Sequence, residues 1–164
     1  MGRTLIALVD DKPGVLTRVA SLFRRRAFNI ESLTVGRTEQ RGVSRMTIVV
    51  ESSREGAEKL AQNLYKLVNV IHVEDISEQA AVVRDLALIK VQTDRQSRSE
   101  VMQIVDTFRA RVVDVGLDSL MVEVTGNEDK VNGLVEVLRP FGIVEMVRTG
   151  QVAMVRGNDA RKGD

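Results

Sequence analysis

Hydrophobic and polar positions cycle through the same order twice along the chain. Residues 4–9, TLIALV, read as a strand. Val15, Leu16, Val19, Ala20, Leu22 and Phe23 then fall at helical spacing, with Thr17, Arg18, Ser21 and Arg24 to Arg26 on the other face. NIESLTVG and SRMTIVVE read as two strands joined by the polar loop RTEQRGV. Ser52 and Glu55 have capping-box spacing and open a helix whose apolar stripe is Ala57, Leu60, Ala61, Leu64, Leu67 and Val68. VIHVEDI closes this half as a strand.

The second half repeats the order without repeating the letters. LALIKVQ is a strand, and Ser97 with Glu100 suggests another capping box before the stripe Val101, Ile104, Val105 and Phe108. RVVDVG and LMVEVTG read as strands around a turn at Leu117 and Asp118. Asn127 is placed to cap a helix carrying Val131, Leu134, Val135 and Leu138, which Pro140 stops. IVEMVR is a strand, and QVAMVR a last one. Each half is therefore β-α-β-β-α-β, so the chain is predicted as α+β, two ferredoxin-like (βαββαβ) domains. The expected division is a first domain over residues 1–78, a linker over 79–85, a second domain over 86–157 and a disordered tail over 158–164. In this topology both helices cover one sheet face. The other face and the edge strands stay open unless something covers them, and units of roughly 75 residues are marginal alone, which points to association between halves or between chains. Both considerations predict a homodimer.

Composition narrows the chemistry. The 164 residues are 43% hydrophobic and 29% charged, and Lys+Arg 24 against Asp+Glu 23 leaves a net charge of +1. That balance lacks the basic surplus of a nucleic-acid binder. The absence of cysteine excludes disulfides and thiolate catalysis and fits a cytoplasmic location. A single histidine, His72, excludes His-pair metal sites and reads as a strand residue on the more polar face. MGRTLIALVDD has too short an apolar run for a signal peptide, and no stretch approaches a membrane span.

The stretch LVDDKPGVLTRVASLF holds the densest cluster of special residues. Pro13 suits the first helical position, and Gly14 allows a group to approach the backbone closely. The N–H groups of Gly14, Val15 and Leu16 lack intrahelical acceptors and sit at the positive end of the helix dipole, a carboxylate site. Asp11 beside them can accept from an ammonium, so the loop matches the head group of a free amino acid. The plainer alternative is that Asp11 caps the helix and Pro13-Gly14 only shapes the turn. Asn29, at the start of the second strand, can donate to a carboxylate and accept from an ammonium, or serve as a corner residue.

VDDKPGVLTRVASLF resembles the loop-helix signature of the ACT domain, an amino-acid-sensing module. FNIESLTVG, SRMTIVV, LYKLVNVIHV and, further on, LALIKV, FRARVVDV and VEVTGN are similar to the regulatory small subunits of acetolactate synthase (acetohydroxyacid synthase). The resemblance spans nearly the whole chain and makes the first domain an ACT domain. It implies a non-catalytic subunit in valine, isoleucine and leucine biosynthesis. Such a subunit activates the large catalytic subunit, a transferase, and confers feedback inhibition by valine or another branched-chain amino acid. Thiamine diphosphate, magnesium and FAD would then reside on the catalytic subunit, with no cofactor on this chain. The family's effector site carries over to Asp11, Gly14 and Val15 and to Asn29 and Ile30, with an apolar slot expected from Ile30, Leu33 and Val35. Two departures stand out. Asp11 occupies a position where many members have asparagine, and Ala27 one where they have glycine. A left-handed alanine costs about 1 kcal/mol, so a slightly different corner is expected there.

Three other readings compete. A nucleic-acid binder of this topology would stack bases on sheet aromatics, whereas Phe23 and Phe108 lie on helical core stripes. An acyl-phosphate hydrolase would need an arginine and a base in the first loop, which offers only Lys12. A stand-alone amino-acid-sensing regulator of another enzyme or a transcription partner would need a separate partner, since no helix-turn-helix pattern is present. Arg24 to Arg26 read as a solvated, dipole-complementing helix end.

Overall fold

The computed structural model describes residues 2–157, and the expected tail over 158–164 lies outside the described residues. The contacts divide the chain into two units: Met1–Val82 with Gln151–Asp164, and Val83–Gly150.

In the first unit β1 (Gly2–Asp10), α1 (Val15–Arg25), β2 (Ile30–Arg37), β3 (Val43–Glu51), α2 (Arg54–Tyr65) and β4 (Val70–Asp75) follow the predicted order. The strands form an antiparallel sheet in the order β2-β3-β1-β4, the ferredoxin-like arrangement. Leu5, Ala7 and Val9 from β1 and Met46, Ile48 and Val50 from β3 share one sheet face by period-two alternation. They pack with Val19, Leu22 and Phe23 of α1 and Ala57, Leu60 and Leu64 of α2. Burying one leucine such as Leu64 contributes about 1.5–3 kcal/mol.

Helix boundaries depart from the sequence expectation where backbone geometry competes with side-chain capping. α1 starts at Val15, two residues after Pro13, because Gly14 takes a left-handed φ of 84° and makes no side-chain cap. The cap of α2 is Ser53, whose side chain accepts from the Gly56 N–H at 3.1 Å; Ser52 instead donates to the Ser53 carbonyl. α1 ends in a Schellman motif: the Phe28 N–H donates to Phe23 O at 3.1 Å and the Ala27 N–H to Arg24 O at 3.3 Å. Ala27 has φ 55°, so the corner is left-handed with alanine in it.

The opposite face of this sheet is not left open. Ile6, Thr47 and Val49 are buried, and the last strand, β9 (Val152–Val155), is tied to that face. The Gln151 N–H donates to Ser32 Oγ at 2.9 Å, and Arg45 Nη2 donates to the Ala153 carbonyl at 2.7 Å. Residues 151 to 157, expected in the second domain, therefore group with the first unit.

The second unit contains most of β5 (Ala81–Gln92), then α3 (Ser97–Thr107), β6 (Arg111–Val115), β7 (Ser119–Gly126), α4 (Glu128–Leu138) and β8 (Ile143–Arg148). The strand order is β6-β7-β5-β8, with β9 pairing β5. The segment expected as a linker over 79–85 is thus strand from Ala81 onward. Asn127 caps α4 through the Lys130 N–H, as its position predicted. The cap before α3 is Asp94 instead of Ser97. Its Oδ1 accepts from the N–H groups of Gln96 and Ser97 at 2.8 and 2.7 Å, and Ser97 Oγ accepts in return from the Asp94 N–H. These backbone donors hold the Asp94 carboxyl below its ordinary range. α3 ends as α1 does, with Arg109 at φ 53° and the Ala110 N–H donating to Val105 O at 2.9 Å. Among the described residues no helix is long and apolar enough to cross a membrane.

Candidate functional site

The turn between β1 and α1 is held by backbone hydrogen bonds, two of them to the segments that precede β3 and β4. The Asp10 N–H donates to Asn69 O at 2.8 Å, the Asp11 N–H to Gly42 O at 2.9 Å and the Lys12 N–H to Asp10 O at 2.9 Å. Asn69, buried at the start of β4, also donates from Nδ2 to Asp10 Oδ2 at 3.2 Å and accepts from Arg18 Nη1. Arg18 and Asn69 therefore brace the loop from α1 and β4. Neither was singled out in the sequence, because a lone asparagine between a helix and a strand has no distinguishing pattern.

Gly14 stands at the helix start with φ 84°, and a Cβ built there meets nothing within 4 Å. Glycine is thus favoured by the dihedral and leaves the surface above the helix end unobstructed. Among the described residues, the N–H groups of Gly14 and Leu16 have no protein acceptor, while that of Val15 faces Lys12 O at 3.5 Å. These unpaired donors, with the helix dipole behind them, suit an anion. The Val15 side chain is buried in the core, so Val15 can offer a ligand only its main chain. Asp11 does not cap the helix; its carboxylate points outward and lies 3.7 Å from Arg37 Nε, at the far end of β2. Both groups are largely exposed, so this pair contributes little to stability. It does show that the loop reaches the Arg37 end of β2.

The second group of predicted residues lies at the opposite end. Asn29 is exposed immediately after the Ala27 corner, and Ile30 opens β2 in register with Val50. Leu33 and Val35 lie in register with Ile48 and Met46, so Ile30, Leu33 and Val35 share the helix-covered face. Ile30 and Leu33 pack against the core, whereas Val35 is half exposed. Seven residue steps separate Ile30 from Arg37, about 23 Å of extended strand. One chain therefore holds Asp11, Gly14 and Val15 at one end of the sheet and Asn29 and Ile30 at the other. Among the described residues β2 has β3 on one side and no strand on the other.

Among the described residues, further polar contacts lie outside these two groups. His72 Nδ1 is hydrogen-bonded to the Tyr65 hydroxyl at 2.9 Å on the exposed β4 edge. Arg3 pairs with Asp75 at 2.7 Å, joining the start of β1 to the end of β4. Burial pushes the Asp75 carboxyl up, but hydrogen bonds from Ser77 and Arg3 outweigh it and hold the group below its ordinary range. Among the described residues no group of three or more histidine, cysteine, aspartate or glutamate side chains could hold a metal ion.

Comparison with known proteins agrees with this architecture. The family described as "AHAS small subunit-like ACT domain" matches residues 5–72, and "Small subunit of acetolactate synthase" matches residues 84–157. The probable acetolactate synthase small subunit of Archaeoglobus fulgidus is 52% identical over 158 residues, covering 96% of this chain and 99% of the relative. The acetolactate synthase small subunit of Mycolicibacterium smegmatis is 50% identical over 154 residues, covering 94% and 91%. The crystal structure of the Thermotoga maritima small subunit superposes with a TM-score of 0.90 at 39% identity, covering 96% of this chain and 99% of that one. With a regulatory ACT domain followed by the matching C-terminal domain, the chain belongs to the acetolactate synthase small-subunit family.

Proposed function

We propose that this chain is a homodimeric, non-catalytic subunit that activates the catalytic subunit of acetolactate synthase and confers feedback inhibition by a branched-chain amino acid. Its relatives are named as small subunits, which calls for a large partner. Thiamine diphosphate, magnesium and FAD belong to that partner in this reading, and the assembly is cytoplasmic.

One observation carries the effector site: the two halves of the predicted site sit at opposite ends of β2, an edge strand. If two copies pair antiparallel through β2, the Ile30 end of one strand meets the Arg37 end of the other. Asn29 of one protomer is then brought to the loop over residues 11 to 15 of its partner, twice per dimer. The carboxylate of the amino acid meets the helix N–H groups around Gly14, and its ammonium meets Asp11 and the Asn29 amide oxygen. The side chain enters the slot of Ile30, Leu33 and Val35. Such a site exists only when chains pair, so binding stabilises one dimer geometry. The effector shifts that equilibrium only by its differential affinity for the two arrangements.

The test combines light scattering on the free chain, calorimetric titration with valine, leucine and isoleucine, and activity of the reconstituted enzyme with and without each. A dimer that binds one of them at two sites and transmits inhibition is the expected result. A monomer, or a dimer that activates the enzyme yet binds none of the three, refutes the effector site. Amino-acid binding without any effect on the catalytic subunit would favour the stand-alone sensor.

A further inference from the structure

The last strand places a connection on β2 that the effector site itself does not require. Ser32 and Leu33 are adjacent on β2 and point to opposite sheet faces, Leu33 towards the helices and Ser32 towards β9. A bulge in the β2–β3 register falls between Ile30 and Ser32, next to the Asn29 corner. Ser32 Oγ accepts from the Gln151 N–H at 2.9 Å, and from β3 Arg45 Nη2 reaches the Ala153 carbonyl at 2.7 Å. Ala153 is 5% exposed, and Thr47 and Val49 on the same sheet face are 2% and 7% exposed. This is a packed attachment, not a loose tail lying on a surface.

The other end of the segment is fastened as well. Gln151 directly follows Gly150, the last residue of the C-terminal unit. There the Thr149 N–H donates to Leu86 O at 2.9 Å, and Thr149 Oγ1 accepts from the Leu86 N–H at 3.0 Å. A single residue, Gly150, thus separates a hydrogen bond to the effector strand from a two-bond anchor on β5. The segment is therefore hydrogen-bonded on both sides of Gly150.

We infer that Ser32 and Arg45 are positioning residues that couple effector occupancy at β2 to the C-terminal unit through β9. The inference rests on the effector-site reading above. When the amino acid fixes the Asn29–Leu33 stretch, Ser32 moves with it on the reverse face. The Gln151 N–H and Ala153 carbonyl follow, and chain continuity carries the shift to Thr149. The clamp contacts neither the effector nor reacting atoms; its role is to make binding felt elsewhere.

The experiment separates binding from its consequence. Ser32→Ala removes one acceptor, and Arg45→Ala, alone and combined with it, removes the second bond. Each full-length variant is titrated with valine, leucine and isoleucine and reconstituted with the catalytic subunit. The double variant is expected to bind the effector within about twofold of the parent and to activate the enzyme. It should need at least tenfold more effector for half-inhibition, or plateau at high residual activity. Hydrogen exchange gives a second readout: effector should slow exchange at the Gln151 and Arg156 amides of the parent protein. Ser32→Ala alone guards against a misfolded double variant and should show a smaller shift in the same direction. Parent-like inhibition in the variants, loss of binding together with inhibition, or unchanged exchange at Gln151 each overturns the coupling. Failure of the parent to bind any of the three amino acids would overturn the effector site instead, a distinct outcome.

Discussion

Replacing Gly14 with aspartate tests the anion site at its centre. The substitution has two separable effects. At φ 84° a side-chain-bearing residue costs about 1 kcal/mol of stability, although nothing within 4 Å obstructs the new Cβ. For a unit of this size that corresponds to a fall in Tm of about 4–8 °C, and the fold survives. The second effect acts on the ligand. If the effector carboxylate sits at the helix start as proposed, a carboxylate on residue 14 is taken to lie roughly 4 Å from it. Their repulsion is about 1 kcal/mol at bulk-water screening and about 4 kcal/mol at the effective dielectric of a protein surface. With tenfold in Kd per 1.4 kcal/mol, binding weakens by about fivefold to several hundredfold. Gly14→Ala carries the same backbone strain without the charge, so calorimetry on the pair separates them. The aspartate variant should lose most affinity and recover part of it as added salt screens the repulsion, while the alanine variant stays within a few fold of the parent. Equal losses in both would trace the effect to loop strain. Parent-like valine binding in Gly14→Asp would remove the carboxylate from the helix start altogether.

Asn29→His should desensitise inhibition of the reconstituted enzyme while activation persists; simultaneous loss of both would assign this corner to contact with the catalytic subunit. Ala27→Gly should stabilise the protein by about 0.5–1 kcal/mol, read as a higher thermal midpoint, because the Schellman corner already has left-handed geometry at φ 55°; a lower midpoint would mean that the alanine methyl contributes packing. Asp75 is a carboxylate whose folded pKa lies below its unfolded value of about 3.8. Its contribution is complete above that value and is lost as pH falls through the folded one. Thermal midpoints of the parent should therefore drop more steeply below about pH 4 than those of Asp75→Asn, and parallel curves would refute the assignment.

The fold was legible because hydrophobic periodicity is written locally. The stripes Leu60–Leu64 and Val131–Leu138 identify helices, and the paired strands follow from alternation and intervening turns. Caps were less legible. Ser52, Ser53, Asp94 and Ser97 are all competent capping residues, and the choice between neighbours depends on where the chain enters the helix from the preceding strand. Ala27 shows the same limit from the other side. The six-to-one and five-to-two bonds of the Schellman motif hold a left-handed corner with alanine in it, a geometry that residue type alone does not specify.

The candidate site divides in the same way. Gly14, Asp11 and Asn29 could be singled out because each residue type has a distinctive hydrogen-bonding or backbone capacity. That Asp11 lies near Arg37, that Arg18 and Asn69 brace the loop, and that Asn29 stands a full strand away from Gly14 depend on strand order and register.

By itself the sequence determined the two βαββαβ repeats, their apolar faces and the family resemblance, since each is encoded in spacing or in a contiguous motif. Only the tertiary structure decided that residues 151 to 155 return to the first unit and fasten to Ser32 and Arg45. QVAMVR carries a strand pattern whichever sheet it serves, and pairing across more than a hundred residues is a choice made by surfaces that exist only after folding.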